Sequence, residues 1–332
     1  MTMIGGAVIP EHQSTQMGIK GLGGFIKWKI PNARKSLNWT AHTGERWGVD
    51  VSCLLYRARG ANLSPLTVIA SLLVRLRRVG IEPVFIFDGR PPAAKADVVD
   101  ERRAVRQAAQ KEMADIKVGL EGADLSFGEK ADMERRHAAL QKKAPTVSGG
   151  ERDEVKALLY AAGVQFITAS GEADDVLAHL CKQDILQGVI STDMDMLPRG
   201  VPLMIIPETA DTTVLTELRL ADILTGLDLA YPQFVDACML MGSDYCGKGW
   251  RAVDPKEAVV LAKKGVTHSA TMEQGVAMLS GIGVRWEEIV SEKQRAKWDL
   301  GRPPCEPETL AAFAATNGWP ADWARVLGHH VP

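Results

Sequence analysis

The sequence predicts an α/β fold in which a mostly parallel β-sheet is flanked by helices. Short, continuously apolar segments alternate with amphipathic helical segments between residues 46 and 207. This alternation is typical of a parallel sheet whose two faces are both covered. A charged stretch without strand signals interrupts the pattern, and only helical patterns follow residue 244. The 332 residues are enough to bury a full core.

The predicted elements follow one another in a regular order. The strands are RWGVDV (46–51), EPVFIFDG (82–89), VQFITA (164–169), VIST (189–192) and VPLMIIP (201–207). The helices between them are SPLTVIASLLVRLRRVG (64–80), ERDEVKALLYAAG (151–163) and EADDVLAHLCKQDILQG (172–188). In the first of these helices Pro65 lies in the first turn and Gly80 follows the last turn, as is usual at helix ends.

Two regions depart from this alternation. Residues 92–148 are charged and helix-prone with sparse apolar positions, which predicts a helical insertion that projects from the core. The end of the chain contains three helical segments, at 255–265, 285–298 and 307–328. We expect four tryptophans to anchor their packing: Trp286, Trp298, Trp319 and Trp323.

Composition excludes several classes of protein. Hydrophobic residues make up 46% and charged residues 24% of the chain, as in ordinary soluble globular proteins. No apolar run approaches the roughly 18 residues of a membrane helix, and the first residues lack the basic flank of a signal peptide. The five scattered cysteines form no CxxC pair, so neither a zinc site nor a disulfide framework is predicted. We expect reduced thiols in an intracellular protein.

Acidic residues recur at the ends of the apolar segments. Any one of them is well explained as a turn former or a helix cap. Together they would crowd the carboxyl edge of a parallel sheet, where their mutual repulsion is costly unless cations offset it. The pattern therefore favours a Mg²⁺-dependent phosphodiesterase. The acids are Asp50, Asp88, Glu172, Asp174, Asp175, Asp193, Asp195 and Asp244.

The charge balance permits a nucleic-acid partner without requiring one. The formal net charge is −2, and it would be +6 without the eight acids. From residue 90 to residue 143 there are 12 Lys and Arg against 10 Asp and Glu, a mixed stretch. DNA and RNA therefore both stay open as partners.

The order and spacing of six short segments carry a more specific signal. They are MGIKGL, VDVSCLLY, VFIFDGRPP, SGEADD, STDMDML and MGSDYC. With these segments the chain resembles the flap endonuclease family of XPG-like, structure-specific 5′ nucleases over most of residues 17–262. The resemblance implies a PIN-like core, a helical arch formed by the insertion, and a C-terminal region of the helix-hairpin-helix type.

The resemblance also implies two Mg²⁺ ions, with Mn²⁺ as a substitute. By that resemblance Asp50, Asp88, Glu172 and Asp174 hold one ion. Asp193, Asp195 and Asp244 hold the second, partly through water, and Asp175 is an outer-sphere neighbour. Carboxylate and water oxygens are the ligands that Mg²⁺ prefers, and no His or Cys accompanies these acids, which argues against zinc.

Basic and aromatic residues complete the implied site. Lys95 and Arg102 would stabilise the scissile phosphate, although on their own they would be read as solvated charges on one helix face. Tyr56 would stack on a base, although on its own it would be read as a core residue. The remaining residues expected to contact nucleic acid are Gly18, Arg103, Arg106, Lys248 and Lys256.

The expected organisation has three parts. Residues 1–16 form an N-terminal extension that is disordered or not translated, residues 17–245 the nuclease core with its arch at about 93–148, and residues 246–332 a helical DNA-binding region. The hairpin in this last region departs from the family pattern at Ala252-Val253-Asp254. It places an acid where phosphate would lie, although Gly247 to Gly249 would allow a turn two residues earlier. The sequence leaves K⁺ binding there undecided.

These observations predict a Mg²⁺-dependent 5′ nuclease that cuts DNA near a junction between single strand and duplex, in replication or repair. An RNA-directed endonuclease of the same family, or an inactive nucleic-acid-binding scaffold, is the alternative. We expect a monomer with a 5′-flap or junction DNA partner, RNA as a second candidate, no membrane, and no sliding clamp, since the C-terminal clamp motif is missing. A eukaryotic or viral source would place it in the nucleus or at replication sites.

Overall fold

The computed structural model contains a seven-stranded sheet. The residues that the structure describes are 18–91, 96–122, 125–244, 246, 252–266, 280 and 284–328. The strands are β1 (Arg34–Ser36), β2 (Arg46–Asp50), β3 (Glu82–Phe87), β4 (Phe166–Thr168), β5 (Gly188–Ile190), β6 (Leu203–Pro207) and β7 (Leu215–Arg219).

The strand order is β1-β7-β6-β5-β2-β3-β4. The five strands from β6 to β4 pair in parallel, whereas β7 pairs antiparallel with both β6 and β1 at one edge. The predicted mostly parallel sheet is therefore confirmed. The two antiparallel strands were not predicted, because β1 (RKS) has no apolar run and β7 (LTELR) is short and partly polar.

Helices cover both faces of the sheet and extend beyond it. They are α1 (Leu22–Lys29), α2 (Val51–Gly60), α3 (Pro65–Arg78), α4 (Ala96–Gly122), α5 (Phe127–Lys143), α6 (Gly149–Ala161), α7 (Ala173–Lys182), α8 (Leu220–Leu227), α9 (Tyr231–Met241), α10 (Pro255–Lys263), α11 (Trp286–Ile289), α12 (Glu292–Asp299), α13 (Pro307–Asn317) and α14 (Ala321–Gly328). Among the described helices, none combines the length and the apolarity that crossing a bilayer would need.

Alternation along the central strands creates two separate cores. On β3, Val84 and Ile86 pack into one apolar cluster with α7 and α9, while Phe85 and Phe87 pack into the other with α3 and α6. On β2, Gly48 lies against Leu177 of α7, where a Cβ atom would come within 2.4 Å of the leucine Cδ2. The two cores hold the strand ends in register, and this register positions the acids.

The predicted insertion consists of the paired helices α4 and α5 in its described part. Ser126 begins α5 with a capping box, since its hydroxyl accepts from the N–H of Glu129 while the Glu129 carboxylate accepts from the N–H of Ser126. No residue of α5 is buried. Helix α5 therefore lies on the surface, whereas Ala109 and Ile116 of α4 are buried.

The C-terminal helices return to the core. The indole N–H of Trp319 donates to the Thr67 hydroxyl of α3 at 3.1 Å, and the backbone N–H of Glu306 donates to the Ala161 carbonyl at 2.7 Å. Trp286 stacks on His179 of α7 with 5.4 Å between the ring centroids. The single helix predicted over 285–298 is divided into α11 and α12, because the backbone of Val290 is extended between them.

Candidate active site at the carboxyl edge of the sheet

Asp50 lies at the end of the central strand β2 and begins α2. One of its carboxylate oxygens accepts from the N–H of Cys53 at 3.2 Å, as a helix N-cap does. The other oxygen accepts from the Ser191 hydroxyl at 2.8 Å. Only 6% of Asp50 is exposed. The strand end and the cap together fix this buried carboxylate at the carboxyl edge of the sheet.

Asp88 follows the neighbouring strand β3 and reaches across to α7. Its carboxylate accepts from the N–H of Ala173, the first residue of that helix, at 2.8 Å. Gly89 lies against the loop that precedes α7, where a Cβ atom on Gly89 would come within 2.1 Å of the Ala169 carbonyl oxygen. This close approach brings the start of α7, with Glu172, Asp174 and Asp175, beside the end of β3.

Asp193 and Asp195 follow β5 in a short 3₁₀ turn at Met194–Met196. The chain therefore turns at this pair and does not continue as an extended strand. The Asp193 carboxylate accepts from the N–H of Asp195 at 2.9 Å, and this bond closes the turn. Ser191 connects the turn to Asp50, because its oxygen also accepts from the N–H of Asp193 at 3.1 Å.

Gly18 closes over the two acids of this turn. Its φ is +85°, and a Cβ atom at this position would lie 2.2 Å from Oδ1 of Asp193 and 2.8 Å from Oδ1 of Asp195. The N–H of Lys20 donates to the carbonyl of Gly242 at 3.0 Å, two residues before Asp244. The N-terminal segment thus contacts both acidic turns, and only glycine fits where it passes over the first.

The acids repel one another at this edge. Burial and the Asp88 carboxylate raise the pKa of Asp50 from 3.8 to about 7. Burial, Asp193, Asp50 and Glu172 raise the pKa of Asp174 well above its usual range, while Arg199 acts in the opposite direction. These shifts show that four separate chain segments bring carboxylates within electrostatic reach of one another. Such an edge favours bound cations.

Arg199 is a component of the site that the sequence did not predict. Its side chain is fully buried and forms ion pairs with Asp175, with Glu172 at 3.7 Å and with Asp174 at 3.9 Å. The available signal was an arginine within the apolar segment MLPRGVPLMIIP, four residues after Asp195. A buried guanidinium needs carboxylate partners, and in the structure these are the acids at the start of α7.

The donor chemistry of the site fits Mg²⁺. The converging side chains offer carboxylate oxygens, which Mg²⁺ prefers. The three buried thiols stay protonated, since burial raises the pKa of Cys53 and Cys181 to about 12 and also raises the pKa of Cys238 well above its usual range. Among the described residues, no group of three or more His, Cys, Asp or Glu is already arranged around one ion position. The carboxylates accept hydrogen bonds from Ser191 and from backbone N–H groups, and those at the start of α7 pair with Arg199.

The predicted nucleic-acid contacts are distributed around this edge. The Tyr56 hydroxyl accepts from Arg106 at 3.4 Å and from Arg152 at 3.2 Å, and its ring packs on the core. Arg103 is exposed on α4. The Lys256 ammonium lies 4.2 Å from the ring centroid of Trp28, which is 61% exposed.

Three of the predicted residues lie wholly or partly outside the described part of the structure. Lys95 and Lys248 fall outside it, as do residues 1–16 and Gly247 to Gly249. Arg102 has a described backbone in α4 but no described side chain. Their roles stay predictions.

The pKa shift of Asp50 predicts a pH-dependent stability for the metal-free protein. Between pH 4 and 7 the folded state keeps a proton that the unfolded chain has released, so the free energy of unfolding falls as the pH rises across this interval. We expect the melting temperature in EDTA to fall from pH 5 to pH 8. The Asp50→Asn variant, which stays neutral, should flatten that fall, and equal slopes in both proteins would contradict the assignment.

Two family models match this chain. Residues 17–109 match the XPG N-terminal domain, and residues 163–244 match the XPG I-region. The two matches together span more than half of the chain. The chain belongs to the XPG family. Within this XPG chain, Asp50 and Asp88 lie in the N-terminal domain, and the acids from Glu172 to Asp244 lie in the I-region.

Two curated relatives illustrate the extent of the match. Flap endonuclease 1 of Babesia bovis is 32% identical over 316 residues, which cover 90% of this XPG chain and 45% of the relative. Flap endonuclease 1 of Caenorhabditis elegans is 32% identical over 265 residues, which cover 75% of this chain and 66% of the relative. The chain thus spans less than half of the first relative and about two thirds of the second.

Solved structures share the fold at low sequence identity. Flap endonuclease-1 from Methanococcus jannaschii has a TM-score of 0.59 and 19% identity, with 89% of this chain and 95% of that chain covered. The Holliday junction-resolving enzyme GEN1, solved with product DNA and a Mg²⁺ ion, has a TM-score of 0.53 and 17% identity, with 90% and 73% covered. The family resemblance and the PIN-like fold expected from the sequence are confirmed.

Proposed function

We propose that this protein is a divalent-metal-dependent, structure-specific 5′ nuclease that hydrolyses DNA phosphodiesters near junctions between single strand and duplex. The observation that carries the proposal is the convergence of carboxylates from β2, β3, α7 and the turn after β5 at one edge of the sheet. Family membership supports the same activity. The GEN1 structure contains product DNA and Mg²⁺, and we extend both to this chain as substrate class and cofactor.

We assign the ligands as the family resemblance groups them. Asp50, Asp88, Glu172 and Asp174 hold one Mg²⁺, and Asp193, Asp195 and Asp244 hold the second, with Asp175 outside the coordination sphere. The chemistry that such ions supply when bound is activation of a water molecule and neutralisation of charge on the phosphate. The protein contributes fixed donors, because the caps, the Ser191 bridge and the Gly18 contact limit where each carboxylate can move.

The surroundings of the acids supply the polynucleotide contacts in this proposal. Lys95 and Arg102 neutralise the scissile phosphate from the start of the insertion. Arg106 and Arg152 already contact the Tyr56 hydroxyl, so that ring lies within a basic surface beside the site. An aromatic ring among arginines is suited to an unpaired base with its phosphates. Lys256 and the exposed ring of Trp28 offer a second contact region, at the start of α10.

The proposal is tested by cleavage of a matched substrate panel. The panel contains a 5′-labelled single-flap DNA, the equivalent nicked duplex, a bubble and a single-stranded RNA, each with Mg²⁺, with Mn²⁺ and with EDTA. We expect Mg²⁺-dependent cutting at the flap junction, with Mn²⁺ as a substitute, and no cutting in EDTA. Binding of each substrate is measured in parallel by fluorescence anisotropy in Ca²⁺ and in EDTA.

The other outcomes distinguish the remaining candidates. Preferential cutting of the RNA would change the proposed substrate from DNA to RNA and would leave the proposed metal site unchanged. Junction binding without any cutting would identify a scaffold and overturn the nuclease proposal. Cutting that persists in EDTA would show that the carboxylates do not act through metal.

Asp254 provides a separate test of duplex binding. Its exposed carboxylate begins α10 and accepts from the N–H of Lys256 at 2.9 Å, so the acid in the altered hairpin serves as a helix cap. Asparagine caps equally well without the charge. We expect Asp254→Asn to bind duplex about two- to fivefold more tightly at low salt, as for loss of one repulsive surface charge. Fluorescence anisotropy at two salt concentrations measures the change.

The alanine variant at this position separates the charge from the cap. Asp254→Ala removes both, so we expect a loss of about 1 kcal/mol in unfolding free energy in addition to tighter binding. Equal duplex affinity in the wild type and both variants would place this hairpin away from the DNA.

A further inference from the structure

Arg199 carries its positive charge within the group of proposed metal ligands. Its side chain is fully buried. It forms its shortest ion pair with Asp175, while its Nη2 lies 3.7 Å from Glu172 and its Nε lies 3.9 Å from Asp174. Glu172 is the N-cap of α7, and Asp174 and Asp175 lie in its first turn. Two of these acids, Glu172 and Asp174, are assigned to the first Mg²⁺ above. The Arg199 guanidinium and the first Mg²⁺ therefore interact with the same carboxylates, those of Glu172 and Asp174.

The chain around Arg199 holds the guanidinium in place. The backbone N–H of Arg199 donates to the carbonyl of Asp195 at 3.3 Å, so the residue belongs to the same loop as the acidic turn. The Tyr231 hydroxyl donates to the neighbouring Pro198 carbonyl at 2.6 Å and anchors the loop to α9. Because the backbone of this loop is tethered, Arg199 stays beside the acids of α7 when a metal ion enters the site.

A fixed positive charge close to a divalent ion has two opposing effects. It stabilises the carboxylates when no ion is present, since buried like charges are costly without a counter-ion. It also repels an incoming ion and draws electron density from shared donors, and both effects weaken ion binding in a low-dielectric site.

We propose that Arg199 is a built-in counter-cation that stabilises the metal-free site and sets the affinity of Glu172 and Asp174 for the metal. Asp175 is its positioning partner, because it forms the shortest of the three ion pairs of the guanidinium. The proposal rests on the proposed function for the identity of the metal ligands. Under this proposal the affinity of the site for Mg²⁺ depends on the charge of Arg199.

The test measures metal binding directly, in the full-length protein at pH 8. Isothermal titration calorimetry with Mg²⁺ and with Ca²⁺ is applied to the wild type, Arg199→Gln and Arg199→Lys, and melting temperatures are recorded in EDTA and in saturating Mg²⁺. We expect Arg199→Gln to bind either ion about tenfold more tightly, to melt lower in EDTA, and to gain more stability from Mg²⁺ than the wild type does. Arg199→Lys, which keeps the charge, should bind the ions nearly as the wild type does.

Asp175→Asn completes a double-mutant cycle. With its partner removed, Arg199 pairs more strongly with Glu172 and Asp174, so we expect this variant to bind metal several-fold more weakly. In the Arg199→Gln background the same substitution should have little effect, because Asp175 acts through Arg199. An equal loss of affinity in both backgrounds would show that Asp175 faces the metal directly and would overturn its positioning role.

The remaining outcomes decide the role of Arg199. Unchanged metal affinity in Arg199→Gln, with a lower melting temperature in EDTA and in Mg²⁺ alike, would make Arg199 a structural residue only and overturn the proposal. If Arg199→Gln does not fold, the Asp175→Asn variant decides, since unchanged affinity there also overturns it. Failure of the proposed function is a different result: the wild type itself would bind no Mg²⁺ or cut no DNA.

Discussion

Replacement of Asp193 by asparagine is expected to reduce cleavage of a 5′-flap DNA by at least about 10³-fold, as for loss of several kcal/mol of metal-assisted transition-state stabilisation. The substitution removes one negative charge from the acids that interact with Asp174. It should leave the fold intact, because the asparagine oxygen can still accept from the N–H of Asp195 and so close the 3₁₀ turn. Single-turnover cleavage gives the rate, and anisotropy shows whether junction binding is kept.

A matched control separates this effect from a general change in charge. Asp222 is paired with Lys35 at 2.7 Å on the surface near the sheet's antiparallel edge. Asp222→Asn removes the same charge there and should cleave at nearly the wild-type rate. Cleavage by Asp193→Asn within about threefold of an active Asp222→Asn control would remove Asp193 from the metal site.

The sequence predicts the central part of this architecture because local signals are strong there. β2, β3 and β6 are continuous apolar runs, and each matches a predicted strand closely. Asp50 and Asp88 come at or directly after such strands, so their meeting at one edge follows from parallel pairing. The helical insertion is predicted from the opposite signal, because its apolar positions are too sparse for it to form part of the core.

The features that the sequence does not predict depend on contacts between distant segments. β1 becomes a strand only by pairing with β7, about 180 residues later, along Arg34↔Leu218 and its neighbours. The Asp88 carboxylate, which follows β3, caps α7 by accepting from the N–H of Ala173, and no local capping motif in the sequence indicates this bond. Arg199 lies in an apolar stretch, where its charge makes sense only once α7 packs beside it. Propensity and spacing describe one segment at a time, so such partners stay hidden.

The end of a helix likewise depends on contacts that the local sequence does not describe. The apolar periodicity of EADDVLAHLCKQDILQG continues beyond Lys182, where α7 ends. Asp184 has a φ of +55°, which no helix accommodates, and the chain turns there so that β5 can enter the sheet beside β2. The requirement that ends the helix is the position of the next strand, and that requirement comes from the tertiary structure.

Substitution of Gly18 by alanine is expected to reduce flap cleavage by about 10²-fold, comparable to a misplacement of reacting groups by about 1 Å. The added Cβ atom would lie 2.2 Å from Oδ1 of Asp193 and 2.8 Å from Oδ1 of Asp195, so the two carboxylates or the N-terminal segment must move. Alanine at a φ of +85° adds about 1 kcal/mol of backbone strain. Single-turnover rates over a Mg²⁺ titration, together with melting temperatures, measure both effects.

Gly24 provides the control from the same segment of the chain. It lies on the exposed side of α1, and a Cβ atom there would meet nothing within 4 Å. Gly24→Ala should therefore stabilise the protein by about 0.5–1 kcal/mol and leave cleavage unchanged, because alanine favours a helix more than glycine does. Equal cleavage by the two variants would mean that Gly18 does not shape the site. A large loss of cleavage rate in Gly18→Ala but not in Gly24→Ala, together with weaker Mg²⁺ binding in the titration, would mean that the N-terminal segment fixes the acids after β5.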